Sequence, residues 1–374
     1  MKKIICIIAV LAIFILPYNI SALGTSARAA ILINGDTGEV IYEQNADEQL
    51  PMASTTKIMT ALLLCENGDF DREITVTAEM LRVEGSSMGL LAGDTVTLHD
   101  LLYGLLLASG NDAANVVAYV LGGTVDGFAK LMNKKAQELG LANTHFVTPS
   151  GLDAEGHFTT ARDLATLARY AMQNDYFAEA AATQKATLEY GNPPYKRSLT
   201  NHNKLLKTFD GAVGVKTGFT KRSGRCLVSA AKRDGKYVIA VTLHDPNDWD
   251  DHSSMLEYGL SKLEITEIKP ENNCCKIPVV GGKTSDLMIE VEPLSVCFLD
   301  ASRLSCEINL PQFVYAPINK GDVIGTAVYK NGDTVIETKS LTAQSEITAA
   351  VYKKSLLEGL KENIKYIFIN IWEK

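Results

Sequence analysis

Ser54 and Lys57 stand three residues apart in the run Ser54-Thr55-Thr56-Lys57. A serine hydroxyl is a weak nucleophile and needs an adjacent base. On a helix, positions i and i+3 share a face, so the Lys57 amine can reach the Ser54 hydroxyl. A lysine becomes a base only when burial or a second cation lowers its pKa. The apolar Ile58, Met59, Leu62 and Leu63 supply burial, and a helix N-terminus brings backbone N–H groups near the reacting oxygen. The same Ser-x-x-Lys spacing recurs at Ser229 to Lys232. That copy ends a predicted strand, where i and i+3 point to opposite faces, so it is a control with the right letters and the wrong geometry.

Ser109-Gly110-Asn111 falls between two predicted helices. Ser, Gly and Asn are turn formers, so a plain helix break explains it. A second hydroxyl that relays a proton, beside an amide that holds a peptide, is the functional reading. Lys216-Thr217-Gly218 ends a predicted strand. Lys and Thr together make a compact carboxylate site, and Gly lets a substrate backbone lie close to the strand edge. Lys57 as a base must be neutral, whereas Lys216 as a carboxylate clamp must be charged. Lys283-Thr284-Ser285 lacks the glycine and is given no role.

These residues need elements to hold them. Ala29 to Tyr42 reads as a hairpin turning at Gly35 to Gly38. Ser54 to Glu66 reads as a helix that stops before Gly68. Further helices are predicted over Leu98 to Leu107, with Thr97 and Asp100 as a capping box, then Asp112 to Leu121, Val125 to Leu139 and Thr160 to Met172. A turn-rich loop fills Leu141 to Phe158. Strands follow from Ala186, at Val213 to Lys216, Arg225 to Ala231 and Lys236 to His244, and a helix over Asp248 to Leu263 closes the region. Strands, helices, then strands and a helix suggest one sheet assembled from both ends, with a helical lobe inserted between.

Both ends of the chain have a different texture. Lys2 and Lys3, an apolar run from Ile4 to Leu16, Pro17 and then small residues read as an export signal over residues 1–24. The catalytic candidates occupy 25–263. Short β-rich runs over 264–345 read as a small all-β domain. Residues 346–374 carry five Lys and four Glu, with Ile347, Val351, Leu356, Leu360, Ile364, Ile367, Phe368 and Ile371 at helical spacing. That pattern fits an amphipathic helix in a membrane interface, with a helix docked on the β domain as the alternative.

The net charge of −8 makes general nucleic-acid binding a poor candidate. Cys65 and Cys226 sit in apolar runs and read as buried small hydrophobes. The six His form no HExxH, and His244-Asp245 through Asp251-His252 reads as a solvated loop and helix start. No metal or cofactor is expected.

The three motifs in this order form the set of penicillin-binding proteins and class A β-lactamases, whose second motif has Asp in its middle. Gly110 stands there in this chain. The sequence resembles the serine-type D-alanyl-D-alanine carboxypeptidases, the low-molecular-mass penicillin-binding proteins, from about Ala29 to its C-terminus. AAILINGDTGEVIYEQNAD, MASTTKIMTALL, LLLASGNDAANVVA, GVKTGFT and SGRCLVSA carry the likeness. It implies an α/β (α+β) catalytic domain of the serine β-lactamase/transpeptidase type with an inserted helical lobe, a small β-sandwich and an amphipathic anchor helix. It implies that Ser54 attacks the peptide bond between two terminal D-alanines while Lys57 takes its proton. Ser109 would return a proton to the leaving D-alanine and Asn111 would hold the substrate amide. Lys216 and Thr217, followed by Gly218, would hold the terminal carboxylate. Backbone N–H groups of Ser54 and Phe219 would form the oxyanion hole. Some relatives carry His where Phe219 stands, which bears on substrate preference. The implied partners are the peptidoglycan stem peptide, β-lactams and the membrane surface, on the extracytoplasmic face of the cell membrane. A β-lactamase of the same fold is the first alternative; Glu155 is the glutamate on offer for its hydrolytic water, outside an ExxxN setting. The other is a non-catalytic peptidoglycan-binding protein, which intact Ser54, Lys57 and Lys216 argue against.

Overall fold

The structure is a computed structural model that describes residues 23–299 and 302–350. Most of the predicted signal and most of the predicted tail helix thus lie outside the described residues. The described chain divides between Leu263 and Glu264 into two compact units.

The first unit opens with the hairpin β1 (Ala29–Asn34) and β2 (Val40–Gln44). A 3-10 turn over Ala53–Thr56 leads into α1 (Lys57–Asn67). The short strands β3 (Glu73–Thr75) and β4 (Thr95–Thr97) pair with each other. Four helices follow: α2 (Leu98–Leu106), α3 (Asn111–Gly122), α4 (Val125–Glu138) and α5 (Ala161–Ala171). Next come α6 (Asp175–Ala182), the hairpin β5 (Lys185–Gly191) and β6 (Pro194–Thr200), and the single turn α7 (Leu205–Thr208). The unit ends with β7 (Ala212–Thr220), β8 (Gly224–Arg233), β9 (Lys236–Leu243) and α8 (Asp248–Lys262).

Capping decides several helix starts. Thr97 accepts from the Asp100 backbone N–H at 3.1 Å while the Asp100 carboxylate accepts from the Thr97 backbone N–H at 3.0 Å, the expected capping box. Thr160 caps α5 through the Asp163 backbone N–H. Ser54 departs from expectation: it lies on the 3-10 turn before α1, not on the helix itself.

The sheet runs β2-β1-β9-β8-β7, antiparallel throughout, so strands from both ends of the unit meet at the β1–β9 pair. Every residue of β1 is buried, because both faces are covered. Ala29, Ile31 and Ile33 join the core of the helical lobe with Val228, Ile239 and Val241. Leu32 faces α8, where a Cβ on Gly259 would stand 3.0 Å from the side chains of Leu32 and Val238. Glycine at 259 lets α8 lie close on that face.

The stretch from His244 to His252 corrects the sequence reading. His252 is fully buried on α8, its Nδ1 2.5 Å from Ser229 Oγ and its Nε2 2.9 Å from Thr242 Oγ1. Asp245 and Asp248 are buried too. His244, Asn247 and Asp250 are exposed, as a solvated loop and helix start would be; it is Asp248, paired with Arg225 at 2.7 Å, and His252, hydrogen-bonded at both ring nitrogens, that depart from that reading, because partnered polar groups can be buried.

The second unit is all-β. Glu264–Ile268 pairs with Leu294–Phe298, and Cys274–Val280 lies between Asp286–Glu290 and Val314–Tyr315. Val323–Asn331 lies between Leu304–Asn309 and Thr334–Thr342. Ile277, Val279, Leu287, Ile289 and Tyr329 fill its core. Ile347 belongs to that core and bridges to Ile318, so it is a β-domain residue rather than the first apolar position of the tail helix.

Burial pushes His252 down to about 3 and His157 down to about 4, from 6.5 for a free imidazole. The unfolded chain therefore binds protons that the folded chain refuses, and stability is lost as pH falls below about 6.5. The melting temperature should fall steadily from pH 6.5 towards pH 4, and His252→Gln should flatten that slope. A melting temperature constant across this window would contradict the assignment of neutral buried imidazoles.

Candidate active site

Ala53 holds φ at +48°, a left-handed conformation that an L side chain rarely adopts, and it presents Ser54 at the head of α1. Its neighbours hold the turn in that shape. A Cβ on Gly151 would come 1.8 Å from the Ala53 carbonyl oxygen, so only glycine fits there. Thr56 Oγ1 donates to the same carbonyl at 2.8 Å and lies 2.8 Å from His157 Nε2. His157 Nδ1 accepts from the Val147 backbone N–H at 2.9 Å. Those bonds assign the proton to Nε2, matching the neutral imidazole that burial enforces. Thr60 Oγ1 donates to the Pro149 carbonyl at 2.6 Å. The loop over 147–152 is thus stitched along the start of α1.

Lys57 is fully buried. Its Nζ lies 2.9 Å from Ser54 Oγ, 2.7 Å from Asn111 Oδ1 and 2.6 Å from the Ser150 carbonyl oxygen. Two of those partners accept only, so a neutral amine spends its two N–H groups on them and points its lone pair at the serine hydroxyl. Burial drives the Lys57 pKa well below 10.5, the Lys216 charge lowers it further, and Asp112 opposes both. The site therefore favours the form of lysine that can take a proton.

Ser109 also sits in the left-handed region, at φ +56°, just before α3. Lys216 Nζ on β7 donates to Ser109 Oγ at 3.0 Å and to the Thr217 carbonyl at 2.9 Å. Burial alone brings Lys216 down to about 7. Asn111 is occupied at both ends of its amide: Oδ1 accepts from Lys57 and Nδ2 donates to the Glu84 carbonyl at 2.6 Å. In this structure it orients Lys57.

β7 is one of the two outer strands of the sheet. A Cβ on Gly218 would stand 3.0 Å from the Ser54 backbone nitrogen and 3.1 Å from Ala53 Cβ. The close neighbour of this glycine is thus the protein's own serine turn, where the sequence suggested a substrate backbone. Phe219 is two-thirds exposed beyond it. Between the serine turn and β7 opens a cleft of about 300 Å³, lined by Ser54, Ser86, Ser109, His202, Thr217 and Trp249 among others. All eight residues singled out from the sequence gather here. Ser150, Gly151 and Asp112 were missed, while His157 read as structural, near the helix at Thr160. Pro149-Ser150-Gly151 carries a turn signal that marks a loop, but a backbone carbonyl leaves no trace in sequence.

A family model described as D-alanyl-D-alanine carboxypeptidase matches residues 18–247. A second, described as the C-terminal domain of penicillin-binding protein 5, matches residues 276–349. D-alanyl-D-alanine carboxypeptidase DacF of Bacillus subtilis is 33% identical over 343 residues, covering 88% of each chain. DacC of Escherichia coli is 32% identical over 350 residues, covering 88% of this chain and 86% of its own. Among solved structures, the Streptomyces K15 DD-transpeptidase superposes with a TM-score of 0.61 at 34% identity, covering 64% of this chain and 98% of that one. The D-alanyl-D-alanine carboxypeptidase DacD of Francisella tularensis gives 0.62 at 28% identity, covering 87% and 95%.

The two lysines should define the pH profile of Ser54 acylation by a labelled penicillin, a reagent that carries a carboxylate. Falling pH protonates Lys57 and removes the base; rising pH through about 7 removes the Lys216 charge from the empty site. The second-order rate should be bell-shaped, its alkaline limb beginning near pH 7. At saturation the bound carboxylate stabilises the Lys216 cation, so the alkaline limb should move to higher pH. Alkaline limbs that coincide in the two regimes would exclude Lys216 as the group facing the carboxylate.

Proposed function

This chain belongs to the D-alanyl-D-alanine carboxypeptidase family of serine peptidases, and we propose on that premise that Ser54 is its nucleophile and Lys57 its general base. The protein is a serine-type D-alanyl-D-alanine carboxypeptidase, a hydrolase of the penicillin-binding class. In the proposed sequence, Ser54 Oγ attacks the carbonyl carbon between the two terminal D-alanines of a peptidoglycan stem peptide, and its proton passes to Lys57 Nζ. The backbone N–H groups of Ser54 and Phe219 receive the oxyanion. Lys216 and Thr217 bind the terminal carboxylate, Gly218 keeps the strand against the serine turn, and Asn111 holds Lys57 in register. The proton returns through Ser109 to the leaving nitrogen as the C–N bond breaks. Free D-alanine departs and leaves an ester on Ser54. Water then attacks that ester, giving up a proton to Lys57, and restores the serine.

One observation carries this reading: Lys57 Nζ sits 2.9 Å from Ser54 Oγ, with its other two partners both acceptors. Glu155, the glutamate weighed for a β-lactamase water, is exposed and does not line the cleft.

Ser54→Ala should abolish both the penicillin adduct and release of D-alanine from a D-Ala-D-Ala peptide, while Ser229→Ala keeps both if folded. Lys57→Arg should lose roughly 10²–10⁴-fold, the usual worth of a general base. Lys216→Arg should lose less, because arginine keeps the charge but cannot act as a base. An adduct mapped by mass spectrometry to any residue but Ser54 overturns the reading.

We further propose an extracytoplasmic site of action, with β-lactams as acylating ligands and the segment after Ala350 as a peripheral membrane anchor. Among the described residues no helix is long and apolar enough to cross a membrane. Support for the anchor is the apolar stripe of residues 351–374 with its interspersed charges. Because Ile347 is part of the β-domain core, a chain ending at Ala350 is the informative truncation. It should cleave a small soluble peptide at an unchanged rate and no longer co-sediment with vesicles containing anionic lipid. Retained co-sedimentation would refute the anchor.

A further inference from the structure

Gly110 occupies the place that the related motif set gives to Asp, and an acid appears two residues later at Asp112. Asp112 is buried in the first turn of α3. Its Oδ1 accepts from the backbone N–H of Met88 at 3.0 Å and of Ala113 at 2.9 Å. Its Oδ2 accepts from Ser87 Oγ at 2.5 Å and from the backbone N–H of Gly89 and Leu90, both at 3.1 Å. Four of these five donors lie on one loop, residues 84–90. The same loop offers the Glu84 carbonyl to Asn111 Nδ2 at 2.6 Å and the Ser86 carbonyl to the Asn111 backbone N–H at 2.7 Å. Its Ser86 lines the cleft. A Cβ on Gly110 would stand 2.6 Å from Asp112 Oδ1 and 3.2 Å from the Met88 nitrogen. A side chain at 110 and the Asp112 clamp therefore exclude each other.

We propose that Asp112 is a positioning residue for the reaction at Ser54: it pins the 84–90 loop to the start of α3 and, through Asn111, fixes the place of the Lys57 amine. The inference rests on the reading of Lys57 as base. Electrostatics point the same way. The charged groups facing Lys57 are Lys216 from β7 and Asp112 from α3; Ser54, Asn111 and the Ser150 carbonyl are neutral. His202, itself near Lys216, is held low by burial and by that lysine. Burial and Lys216 both lower the basicity of Lys57, and the Asp112 charge opposes them.

The test uses the full chain, with penicillin acylation and peptide hydrolysis followed against pH. Asp112→Asn removes the charge and turns an NH2 against the loop donors. Its kcat/KM should fall by about tenfold or more, as for a misplaced catalytic group, and its acid limb should move to lower pH, since the lysine loses the charge that favours its protonated form. Ser87→Ala, on the exposed edge of the loop, keeps the charge; its KM should rise with the acid limb in place. An Asp112→Asn protein with unchanged melting temperature, unchanged kcat/KM and an unmoved acid limb overturns the proposal. Should Asp112→Asn not fold, Asp112→Glu and Ser87→Ala decide: raised KM with an unmoved limb supports the clamp, and unchanged KM in both overturns it. Lys57→Arg separates the two levels. If that variant stays active, the reading of Lys57 fails; if it is inactive while Asp112→Asn resembles the unaltered protein, only the role of Asp112 fails.

Discussion

A lysine amine can take a proton at neutral pH only where its own charge is disfavoured, and the surroundings of Lys57 meet that condition. Burial supplies the main effect and the Lys216 cation adds to it. Burial alone would leave an amine with unsatisfied N–H groups, which costs free energy. Asn111 Oδ1 and the Ser150 carbonyl remove that cost and leave one direction open, the one occupied by Ser54. Three segments far apart in sequence must therefore converge within hydrogen-bonding distance of one nitrogen: the head of α1, the start of α3 and the loop after α4. The helical lobe can be understood as the scaffold that brings them there.

Convergence at that density requires backbone to approach backbone. Gly151 against the Ala53 carbonyl and Gly218 against the Ser54 nitrogen are the two contacts where a side chain would force the serine turn away from its partners. The turn itself is held in unfavourable backbone regions at Ala53, and the opposite wall at Ser109 is held likewise. Such conformations persist only where surrounding contacts over-determine them. Here those contacts are identifiable: His157 through Thr56 on one side, Lys216 on the hydroxyl of Ser109 on the other.

Most of the regular elements were legible because their signals are local. The β1–β2 hairpin announces its turn, Thr97 and Asp100 announce their helix, and Arg233-Asp234-Gly235 between two apolar runs announces the β8–β9 hairpin. Among the elements that escaped, β3 and β4 at three residues each and α7 at four are too short for a period to show, and α6, at eight residues, went unread as well. Site residues divide in the same way. Ser54, Lys57, Ser109, Asn111 and Lys216 have side chains whose chemistry names them. Ser150 acts through its carbonyl and Gly151 through the lack of a Cβ, neither of which a residue letter advertises. His157 and His252 were visible as letters, but burial and partners are tertiary facts. The polar run from His244 to His252 looked solvated throughout for that reason, although Asp245, Asp248 and His252 within it are buried.

The second Ser-x-x-Lys string shows why spacing becomes chemistry only through the fold. Lys216 pairs with Val228 across β7 and β8, and Val228 belongs to the core of the helical lobe. Ser229 is the next residue along β8, so the pleat turns it to the other face, beneath α8. There its hydroxyl meets His252 at 2.5 Å, fully buried. That is a serine beside an imidazole, a pair that elsewhere makes a nucleophile. It has no cleft, since Ser229, His252 and Thr242 are all closed off from solvent, and burial holds the imidazole at about 3, far too weakly basic to take a serine proton at neutral pH. Lys232, its sequence partner, instead lies over the Tyr237 ring. A serine–base pair thus stands beside Lys216 on one side of β7–β8 and at Ser229 on the other. The pair at Ser54 has an amine whose remaining hydrogen bonds are satisfied and opens onto a cleft; the pair at Ser229 has only the hydrogen bond, which serves to fasten a helix.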